Sequence, residues 1–402
     1  MYDAVVIGGG ASGLICASEL AGHGFRVLLA EKNDRVGKKL LTTGNGRCNL
    51  ANADTSLSHF HGSCLPAAEK VFGSITMEKI PEYWKSLGID LVTLERGKQY
   101  PRSLQASSVL NVLRRHMETK GVHLMTRTEV MEIRPCKDGF LVFLQVGEKQ
   151  EGTDKIAYIR QKVKTSKVIL CAGGKASPSL GSNGEGAALA KALGAAIVPL
   201  RPGICRLRTD SELNKRLAGL RLDAGCRLMA DKEIIQSTFG EVLFTEEGLS
   251  GPGILDLSRK AGDVLSESRF VQVSLDLASD LEEGPLFACL VDRFQRLVGM
   301  SAEDALEGWL HKKLIVPVLN ESGIDRTVTA GDLSKRQISA LAGVLKTFTM
   351  NVSGLDGFRE AQVTVGGVRG DQISGSLEFL KLPGVFFCGE VLDLDGDCGG
   401  YN

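Results

Sequence analysis

The feature that most constrains the fold is the stretch from residue 2 to residue 31, where a buried strand leads through glycines into a helix. The apolar, β-branched run Ala4–Ile7 is typical of a parallel strand covered on both faces. Three glycines at G-x-G-x-x-G spacing follow, namely Gly8, Gly10 and Gly13. Small apolar residues then recur at helical spacing, and a second apolar run over 27–30 ends at Glu31. This order predicts a strand–helix–strand unit that binds a dinucleotide.

Each residue of this unit has a predicted role. Gly8 allows the tight turn, Gly10 lets a pyrophosphate approach the backbone, and Gly13 lets the helix pack on the strand. Free N–H groups at the helix start bind the pyrophosphate, and Glu31 accepts hydrogen bonds from the adenosine ribose. The alternative is a glycine turn in an unrelated α/β fold. The cofactor contacts expected here are Gly8, Gly10, Ala11, Ser12, Gly13, Glu31 and Lys32.

Length, charge and cysteine usage limit the possible classes. A chain of 402 residues has room for two or three domains. Its 48 basic and 48 acidic residues cancel, so no overall field attracts nucleic acid or an anionic membrane. The ten cysteines are scattered without metal-ligand spacing, which indicates reduced thiols in the cytoplasm and no metal site. We expect neither a signal peptide nor a membrane-spanning helix.

The stretch KNDRVGKKLLTTGNGRCNLAN after Glu31 is rich in glycine, small polar and basic residues. Exposed amides and cations suit an anionic or highly polar ligand. Because the stretch directly follows a dinucleotide-binding unit, the simplest interpretation is that it binds the same cofactor. The alternative is a solvent-exposed basic loop without a ligand. The cofactor contacts predicted here are Gly37, Lys38, Gly44, Asn45, Gly46, Arg47, Cys48 and Asn49.

Downstream patterns predict the rest of this first domain. We expect helices over Thr76–Leu87 and Gln105–Lys120, a hairpin over Leu91–Arg102, and a strand over Val122–Met125. Alternating segments around Phe140–Val146 and Ile156–Val163 predict an antiparallel meander. A separate apolar strand, KVILCAGG, should rejoin the parallel sheet. Backbone contacts with the cofactor are expected at Val130, Ala172 and Gly173.

The character of the chain changes near Ala195. Short strands are predicted at 204–207, 225–228, 240–244 and 270–275, followed by helices that begin at Ser301 and Ser334. We interpret residues 195–344 as an inserted, substrate-side domain, which divides a cofactor domain into residues 1–194 and 345–402. Acidic residues outnumber basic ones in the insert, which argues against a nucleic-acid module.

The C-terminal part returns to glycine-rich chemistry, with a buried strand at Val385–Cys388 followed by Gly389 and Glu390. This split layout suits FAD better than NAD, with AMP at the first glycine turn and the ribityl chain at Glu390. Glycines near the end should open a helix toward the flavin N1/O2 edge. The contacts expected in this region are Gly389, Glu390, Gly399, Gly400, Tyr401 and Asn402.

Six motifs carry a resemblance that spans nearly the whole chain: VVIGGGASGL, TTGNGRCNL, VILCAGG, FTEEGLSGPGIL, VTVGGV and GEVLDLDGDCGGYN. They resemble the BaiN/YhiN-like family of NAD(P)/FAD-dependent oxidoreductases, also described as aminoacetone-oxidase-family flavoproteins. The resemblance implies an α/β fold, in which a Rossmann-like FAD-binding domain with a parallel sheet and β-meander is interrupted by a β-plus-helical insert. In that family GGYN begins a final helix, whereas Asn402 is the last residue here. We therefore expect that helix to be missing, by shortening or by natural loss.

Hydride transfer through flavin N5 needs no protein nucleophile, so no catalytic residue is assigned. The residues considered for a catalytic role are Arg47 and Lys38 as cations near the flavin, Cys48 as a redox group, and Tyr100 and Tyr401 as proton donors. For the cations, contact with phosphate alone is an equal alternative. Cys48 and Cys398 could form a reversible disulfide if their loops converge, although packing is the simpler interpretation. His59 and His61 are interpreted as a loop pair.

The leading functional hypothesis is an FAD-dependent oxidoreductase that takes a hydride transiently from NAD(P)H and reduces a small enone-like or steroid-like substrate. Three alternatives remain open: a flavin oxidase of an amine or aminoketone, an FAD-dependent tRNA-modifying protein, and a catalytically impaired flavoprotein remnant. We expect a small-molecule substrate without a nucleic-acid or membrane partner, and the oligomeric state is left open.

Overall fold

The computed structural model describes residues 1–74, 79–149 and 156–402. Its contacts divide the chain into two compact units. The first unit comprises Met1–Pro202 and Phe358–Asn402, and the second unit comprises Gly203–Gly357. Two apolar cores lie in the first unit and one in the second, so each unit has a core of its own.

The strands are β1 (Tyr2–Ile7), β2 (Val27–Ala30), β3 (Ala51–Asn52), β4 (Phe60–His61), β5 (Leu91–Thr93), β6 (Lys98–Pro101), β7 (His123–Met125), β8 (Thr128–Cys136), β9 (Gly139–Lys149), β10 (Ile156–Leu170), β11 (Ile197–Gly203), β12 (Leu207–Thr209), β13 (Arg221–Ala230), β14 (Glu233–Thr245), β15 (Gly248–Ser250), β16 (Val271–Asp276), β17 (Phe348–Leu355), β18 (Val363–Val368), β19 (Val385–Phe387) and β20 (Asp395–Gly396). The α-helices are α1 (Ala11–Gly22), α2 (Leu65–Ser74), α3 (Lys79–Ser86), α4 (Ala106–Thr119), α5 (Glu185–Ala192), α6 (Leu213–Leu217), α7 (Pro252–Leu255), α8 (Ser258–Ser266), α9 (Glu283–Arg296), α10 (Ala302–Leu306), α11 (Lys312–Glu321) and α12 (Lys335–Lys346).

The main sheet of the first unit has the order β7-β2-β1-β10-β9-β8, with β19 also paired to β10. Strand β1 lies between β2 and β10 and is parallel to both, so Val5 pairs with Leu28 and with Val168. Alternate residues of β1 enter different cores: Val5 and Ile7 join one, while Ala4 and Val6 join the other. The fully apolar run of β1 is thus explained by burial on both faces of the sheet.

Strand β10 corrects one sequence expectation. Two separate segments were predicted, but Ile156–Leu170 is a single strand. Its first part is antiparallel to β9 and its last part is parallel to β1, with Thr165 paired to both Phe140 and Tyr2. The polar residues of KTSK resemble a loop in sequence, yet Thr165 is fully buried and its hydroxyl donates to Lys167 O at 2.9 Å.

Most other elements of the first unit agree with their predictions. The helix α4 and the β5–β6 hairpin are confirmed, and β7 pairs with β2 in parallel. The predicted helix Thr76–Leu87 begins outside the described residues, and its described part, α3, is helical from Lys79 to Ser86. The loop after β10 leads into α5, a helix of mostly small residues.

The second unit is built on a closed barrel with the strand order β12-β15-β14-β13-β16-β17. Alternate residues of β13 point inward, and Ala224, Cys226 and Leu228 are fully buried. The predicted helix starts are confirmed: Ser301 Oγ accepts from Asp304 N at 3.0 Å, and Ser334 with Gln337 forms a capping box at α12. Strands β15 and β17 were not predicted.

The bounds of the second unit differ from the predicted insert, 195–344. Strand β17 lies beyond residue 344, yet it pairs with both β12 and β16 and so closes the barrel. A break at 344 would leave β12 and β16 each with an unpaired edge, which explains why this compact unit extends to Gly357. Among the described helices, none is long and apolar enough to cross a membrane.

Candidate functional site

The glycine turn between β1 and α1 is shaped by close contacts. Gly8 has a φ of +103°, and a Cβ there would lie 2.6 Å from Cys171 O. A Cβ on Gly13 would lie 1.8 Å from Gly8 O, so only glycine lets α1 pack on the turn. A Cβ on Gly10, by contrast, would meet nothing within 4 Å. The bare face of Gly10 therefore opens onto free space.

That space is a cavity of about 630 Å³ in the first unit. Many of the residues predicted from sequence line it: Gly8, Gly10, Ala11, Ser12, Glu31, Lys32, Gly37, Lys38, Cys48, Asn49, Val130, Ala172, Gly173, Gly389, Glu390, Tyr401 and Asn402. They come from the first strand–helix turn, the basic loop, the end of β10 and the C-terminal segment. The carboxyl ends of parallel strands thus meet at one site, as in other open α/β sheets.

The remaining predicted residues do not line the cavity: Gly13, Gly44, Asn45, Gly46, Arg47, Gly399 and Gly400. Gly13 supports the turn from behind. The Arg47 guanidinium lies over the Tyr100 ring at 5.3 Å, which gives it a partner away from the cavity. A Cβ on Gly400 would lie 2.3 Å from Ala51 O, so this glycine allows two backbone segments to meet. Residues 398–400 form a turn, where a helix start was expected.

We call Gly8, Gly10, Ser12 and Glu31 the glycine-turn region of the cavity. The Glu31 carboxylate is buried and fixed there: Oε2 accepts from Gly9 N at 2.7 Å, and Oε1 accepts from Asn33 N and Nδ2 at 2.7 Å each. Helix α1 has no side-chain cap at Gly10. The N–H groups of its first turn are therefore available to an anion.

Lys32 and Lys38, both predicted to contact the cofactor, each pair with a carboxylate of the protein. Lys32 Nζ lies 2.6 Å from Glu185 Oε2, and Lys38 Nζ lies 2.8 Å from Asp34 Oδ1. The Lys38 ammonium lowers the pKa of the half-exposed Asp34 carboxyl through their hydrogen bond. Sequence analysis did not identify Glu185 or Asn33, because neither belongs to a motif with a known ligand role.

Glu390 joins the C-terminal segment to the basic loop. Its Oε2 accepts from Lys39 Nζ at 2.9 Å, and its Oε1 accepts from Thr364 N at 2.7 Å. Thr364 Oγ1 accepts in turn from Lys175 N at 2.7 Å and Ala176 N at 2.9 Å. Lys39 and Thr364 were missed, since the contacts that make them important are 351 and 189 positions apart in the chain.

We call Asn49, Phe60, Phe72 and Tyr401 the aromatic region of the cavity; all four line it. The Phe60 ring packs against Phe72 at 5.2 Å and edge-on against Tyr401 at 5.7 Å. Asn49 Oδ1 is buried and has no hydrogen-bond partner. A buried amide oxygen without a partner is costly, so this atom is suited to a donor on a bound ligand.

The structure gives no support to the predicted disulfide between Cys48 and Cys398. No disulfide is formed among the ten described cysteines, which include Cys48 and Cys398. Burial raises the pKa of Cys48, which disfavours the thiolate needed for disulfide chemistry. The described residues contain no group of three or more His, Cys, Asp or Glu side chains placed to hold a metal ion.

The family model described as the HI0933-like protein Rossmann domain matches residues 2–402. The chain belongs to this family. A curated relative, the 3-dehydro-bile acid delta(4,6)-reductase of Clostridium scindens, is 32% identical over 401 residues, covering 99% of this chain and 94% of the relative. The ribosomal RNA dihydrouridine synthase of Escherichia coli is 28% identical over 407 residues, covering 100% of this chain and 94% of the relative.

Among solved structures, the 3-ketosteroid delta1-dehydrogenase of Sterolibacterium denitrificans matches with a TM-score of 0.47 and 12% identity, covering 100% of this chain and 96% of that one. That likeness is too weak to bear on function. Family membership confirms the predicted family, fold class and enzyme class: the protein is an FAD-dependent oxidoreductase with a Rossmann-like FAD-binding fold.

The residues present fit FAD. The open face of Gly10 and the uncapped start of α1 suit a pyrophosphate, Glu31 suits a ribose, and the unpartnered Asn49 Oδ1 suits a ring N–H. Glu390 is positioned by Lys39 and Thr364. Bound FAD would supply hydride-transfer redox chemistry, and these residues would hold and orient it.

Proposed function

We propose that this enzyme reduces a carbon–carbon double bond conjugated to a carbonyl group, with NAD(P)H as the hydride source for its FAD. The names of the two relatives support this reaction class. The 4,6-diene of a 3-dehydro bile acid is conjugated to its ketone. Dihydrouridine is uridine whose double bond, conjugated to a ring carbonyl, has been saturated. Both names therefore describe one reaction on different molecules.

The observation that carries the proposal is that one cavity combines the two regions. The glycine-turn region presents backbone N–H groups and a fixed carboxylate, whereas the aromatic region presents rings and a phenol. Apolar walls with few polar groups are typical of sites for small organic ligands. The aromatic region suits both the flavin ring and a planar, conjugated substrate stacked against that ring.

The substrate class we favour is a small enone, including steroid-like ones. The second unit, proposed to carry substrate contacts, has more acidic than basic residues, whereas RNA binding depends on neutralising phosphates with Lys and Arg. A uracil base in RNA is the second candidate substrate, because relatives from Escherichia coli and Haemophilus influenzae are named ribosomal RNA dihydrouridine synthase. From the scattered cysteines of the sequence we propose a reducing, cytoplasmic location.

An anaerobic two-step experiment tests this proposal. NADH or NADPH is added to the FAD-loaded protein, and loss of the flavin absorbance at about 450 nm reports hydride uptake. A 3-oxo-4-ene steroid, free uridine or a ribosomal RNA fragment is then added. Return of the absorbance together with a saturated product identifies the acceptor. If amines bleach the flavin while NAD(P)H does not, the oxidase alternative replaces the reductase.

The role of the second unit is tested by deletion. Joining Pro202 to Phe358 through a short linker removes Gly203–Gly357 and leaves both cores of the first unit intact. We expect this variant to retain FAD and to lose turnover with the acceptor identified above. Unchanged turnover would exclude a substrate role for the second unit.

A further inference from the structure

His59 lies between two carboxylates. Its Nδ1 is 2.9 Å from Asp397 Oδ2, and its Nε2 is 3.0 Å from Asp54 Oδ2. A neutral imidazole has a single N–H and could donate to only one of them, so both contacts are favourable only in the imidazolium form. Burial alone lowers the pKa of His59, but the hydrogen bonds to Asp397 and Asp54 outweigh it and raise that pKa above its usual value. The two carboxylates therefore favour the imidazolium form of His59.

The His59 ring stacks on Tyr401, with 4.4 Å between centroids and 18° between planes. Tyr401 lines the cavity, whereas His59 is not among its lining residues. Burial, with the charges of Asp54 and Asp397, raises the pKa of Tyr401 to about 12. The phenol thus keeps its proton throughout the physiological range. No other tyrosine is among the described residues that line the cavity.

We propose that Tyr401 is the proton donor of the reduction. His59 is the positioning residue that holds the Tyr401 ring and offsets the negative charge of the phenolate. This inference rests on the proposed function. Bound FAD would supply a hydride to the substrate double bond at the carbon remote from the carbonyl. The carbon next to the carbonyl then takes the proton of Tyr401 Oη. The π bond and the O–H bond break, two C–H bonds form, and the phenolate recovers a proton from water.

The charges around Tyr401 explain why His59 is needed. Asp54 and Asp397 oppose formation of a phenolate, and the His59 imidazolium against the ring face attracts it. His61 Nε2, 2.8 Å from Asp397 Oδ1, shares the same carboxylate. Asp395, which pairs with His61 across β20 and β4, is a further titratable group and lines the cavity with Tyr401. Removing the charge of His59 would leave the two carboxylates opposing the proton transfer.

The test separates the two halves of the reaction in the full-length, FAD-loaded protein. Protein reduced with dithionite is mixed with a conjugated enone, and the return of flavin absorbance gives the rate of enone reduction. For Tyr401→Phe we expect this rate to fall about a hundredfold or more. Because Tyr401 lines the cavity, the enone rate of each variant is divided by its own rate of reoxidation by ferricyanide, which takes only electrons, and the fall is expected in that ratio. Tyr158→Phe, on the exposed part of β10, is the matched control and should keep the wild-type rate.

A second variant tests His59 by a pH profile. In the wild type, the enone rate should fall as pH rises through the pKa of His59 and the imidazolium is lost. In His59→Gln the rate should be about tenfold lower at acidic pH, without that pH-dependent fall. NMR titration of the His59 ring gives its pKa without any turnover. A value at or below the usual one would contradict the charged form.

The failures are distinguishable. If the wild type is reoxidised by an enone and Tyr401→Phe is equally fast, Tyr401 is not the donor and the proposed function stands. If His59→Gln retains the wild-type pH profile, His59 has no such role. If no conjugated acceptor reoxidises the wild type while ferricyanide does, the proposed function and this inference both fail.

Discussion

The glycine-turn region and the aromatic region of the cavity are held together by different kinds of interaction. In the first, backbone atoms dominate: Gly9 N and Asn33 N fix the Glu31 carboxylate, and Gly10 provides a face without a side chain. In the second, side chains dominate: Phe60 packs edge-on against Tyr401, and Tyr401 stacks on His59, which pairs with Asp397 next to the region. The geometry of a backbone site is fixed by the fold, whereas the geometry of a side-chain cluster depends on the charges of its side chains and on whether a ligand is bound. The two regions should therefore respond differently to substitution and to pH.

The largest effect is expected at Gly10. Gly10→Val should weaken FAD binding about a hundredfold or more, equivalent to ~3 kcal/mol, because the new side chain occupies the pyrophosphate's place. Gly343→Val is the matched control, since a Cβ at Gly343 in α12 also meets nothing within 4 Å and neither glycine has a positive φ. The measurement is FAD released on denaturation, with its absorbance at about 450 nm. Full FAD content in Gly10→Val would contradict the assignment of the glycine-turn region.

Glu390 should have a smaller effect, because it makes one polar interaction among many. Glu390→Gln weakens its contact with Lys39 and the hydrogen bond that we expect to a ribityl hydroxyl, so FAD affinity should fall about tenfold. Glu378→Gln is the control: Glu378 Oε1 also accepts from a backbone N–H, Gly384 N at 2.7 Å, but it does not line the cavity. Titration of the apoprotein with FAD, followed by flavin fluorescence, measures both. Equal losses in the two variants would indicate a general structural effect.

The same difference explains what the sequence could predict. Gly8 and Gly13 have local requirements, a positive φ and a helix–strand contact, that only glycine meets, so the turn and its strands were identified directly. The hairpin β5–β6 and the helix caps at Ser301 and Ser334 are also local, and their predictions were confirmed.

Features that depend on distant partners were missed or misjudged. Strand β17 was missed because its place in the barrel is set by β12 and β16, far away in sequence. His59 was interpreted as part of a loop pair, since its partner Asp397 lies 338 positions away. The contact of Arg47 with Tyr100 was also not predicted, because the glycine-rich motif of Arg47 does not indicate that partner. Pairing over such separations leaves no periodic signal in a single sequence.

Asn49 offers a test in which stability and binding change in opposite directions. Its buried Oδ1 has no partner without a ligand, so Asn49→Leu removes a desolvation cost of about 1–3 kcal/mol from the apoprotein. We expect the apoprotein's free energy of unfolding to stay equal or rise, while FAD affinity falls several-fold. Urea unfolding of the apoprotein and FAD titration measure the two quantities. A large loss of apoprotein stability would mean that Asn49 has a partner in solution.

The smallest expected effect is the pH dependence of stability contributed by the ion pair between His59 and Asp397. The hydrogen bonds to Asp397 and Asp54 raise the pKa of His59 in the folded protein. The stabilisation from protonated His59 is therefore fully present below the pKa of His59 in the unfolded chain, about 6.5, and it is lost as pH rises through the folded-state pKa. For Asp397, burial opposes ionisation, but the bonds to His61 and His59 lower its pKa. Its contribution is therefore lost as pH falls through that lowered value. The pair is most stabilising between the two.

Both side chains are partly exposed, so the contribution of this pair is limited to a few tenths of a kcal/mol up to about 1 kcal/mol. Asp397→Asn should lower Tm by at most about 3 °C near pH 6, and the difference from the wild type should shrink as pH rises above the pKa of His59. The control is Asp371→Asn, since Asp371 pairs at 2.7 Å with Arg369, which stays charged throughout. That variant should lower Tm by the same amount across this pH range. If Asp397→Asn also lowered Tm by the same amount at every pH tested, His59 would not change charge in that range. The contrast between a region built from backbone atoms and one that depends on side-chain charge would then not hold.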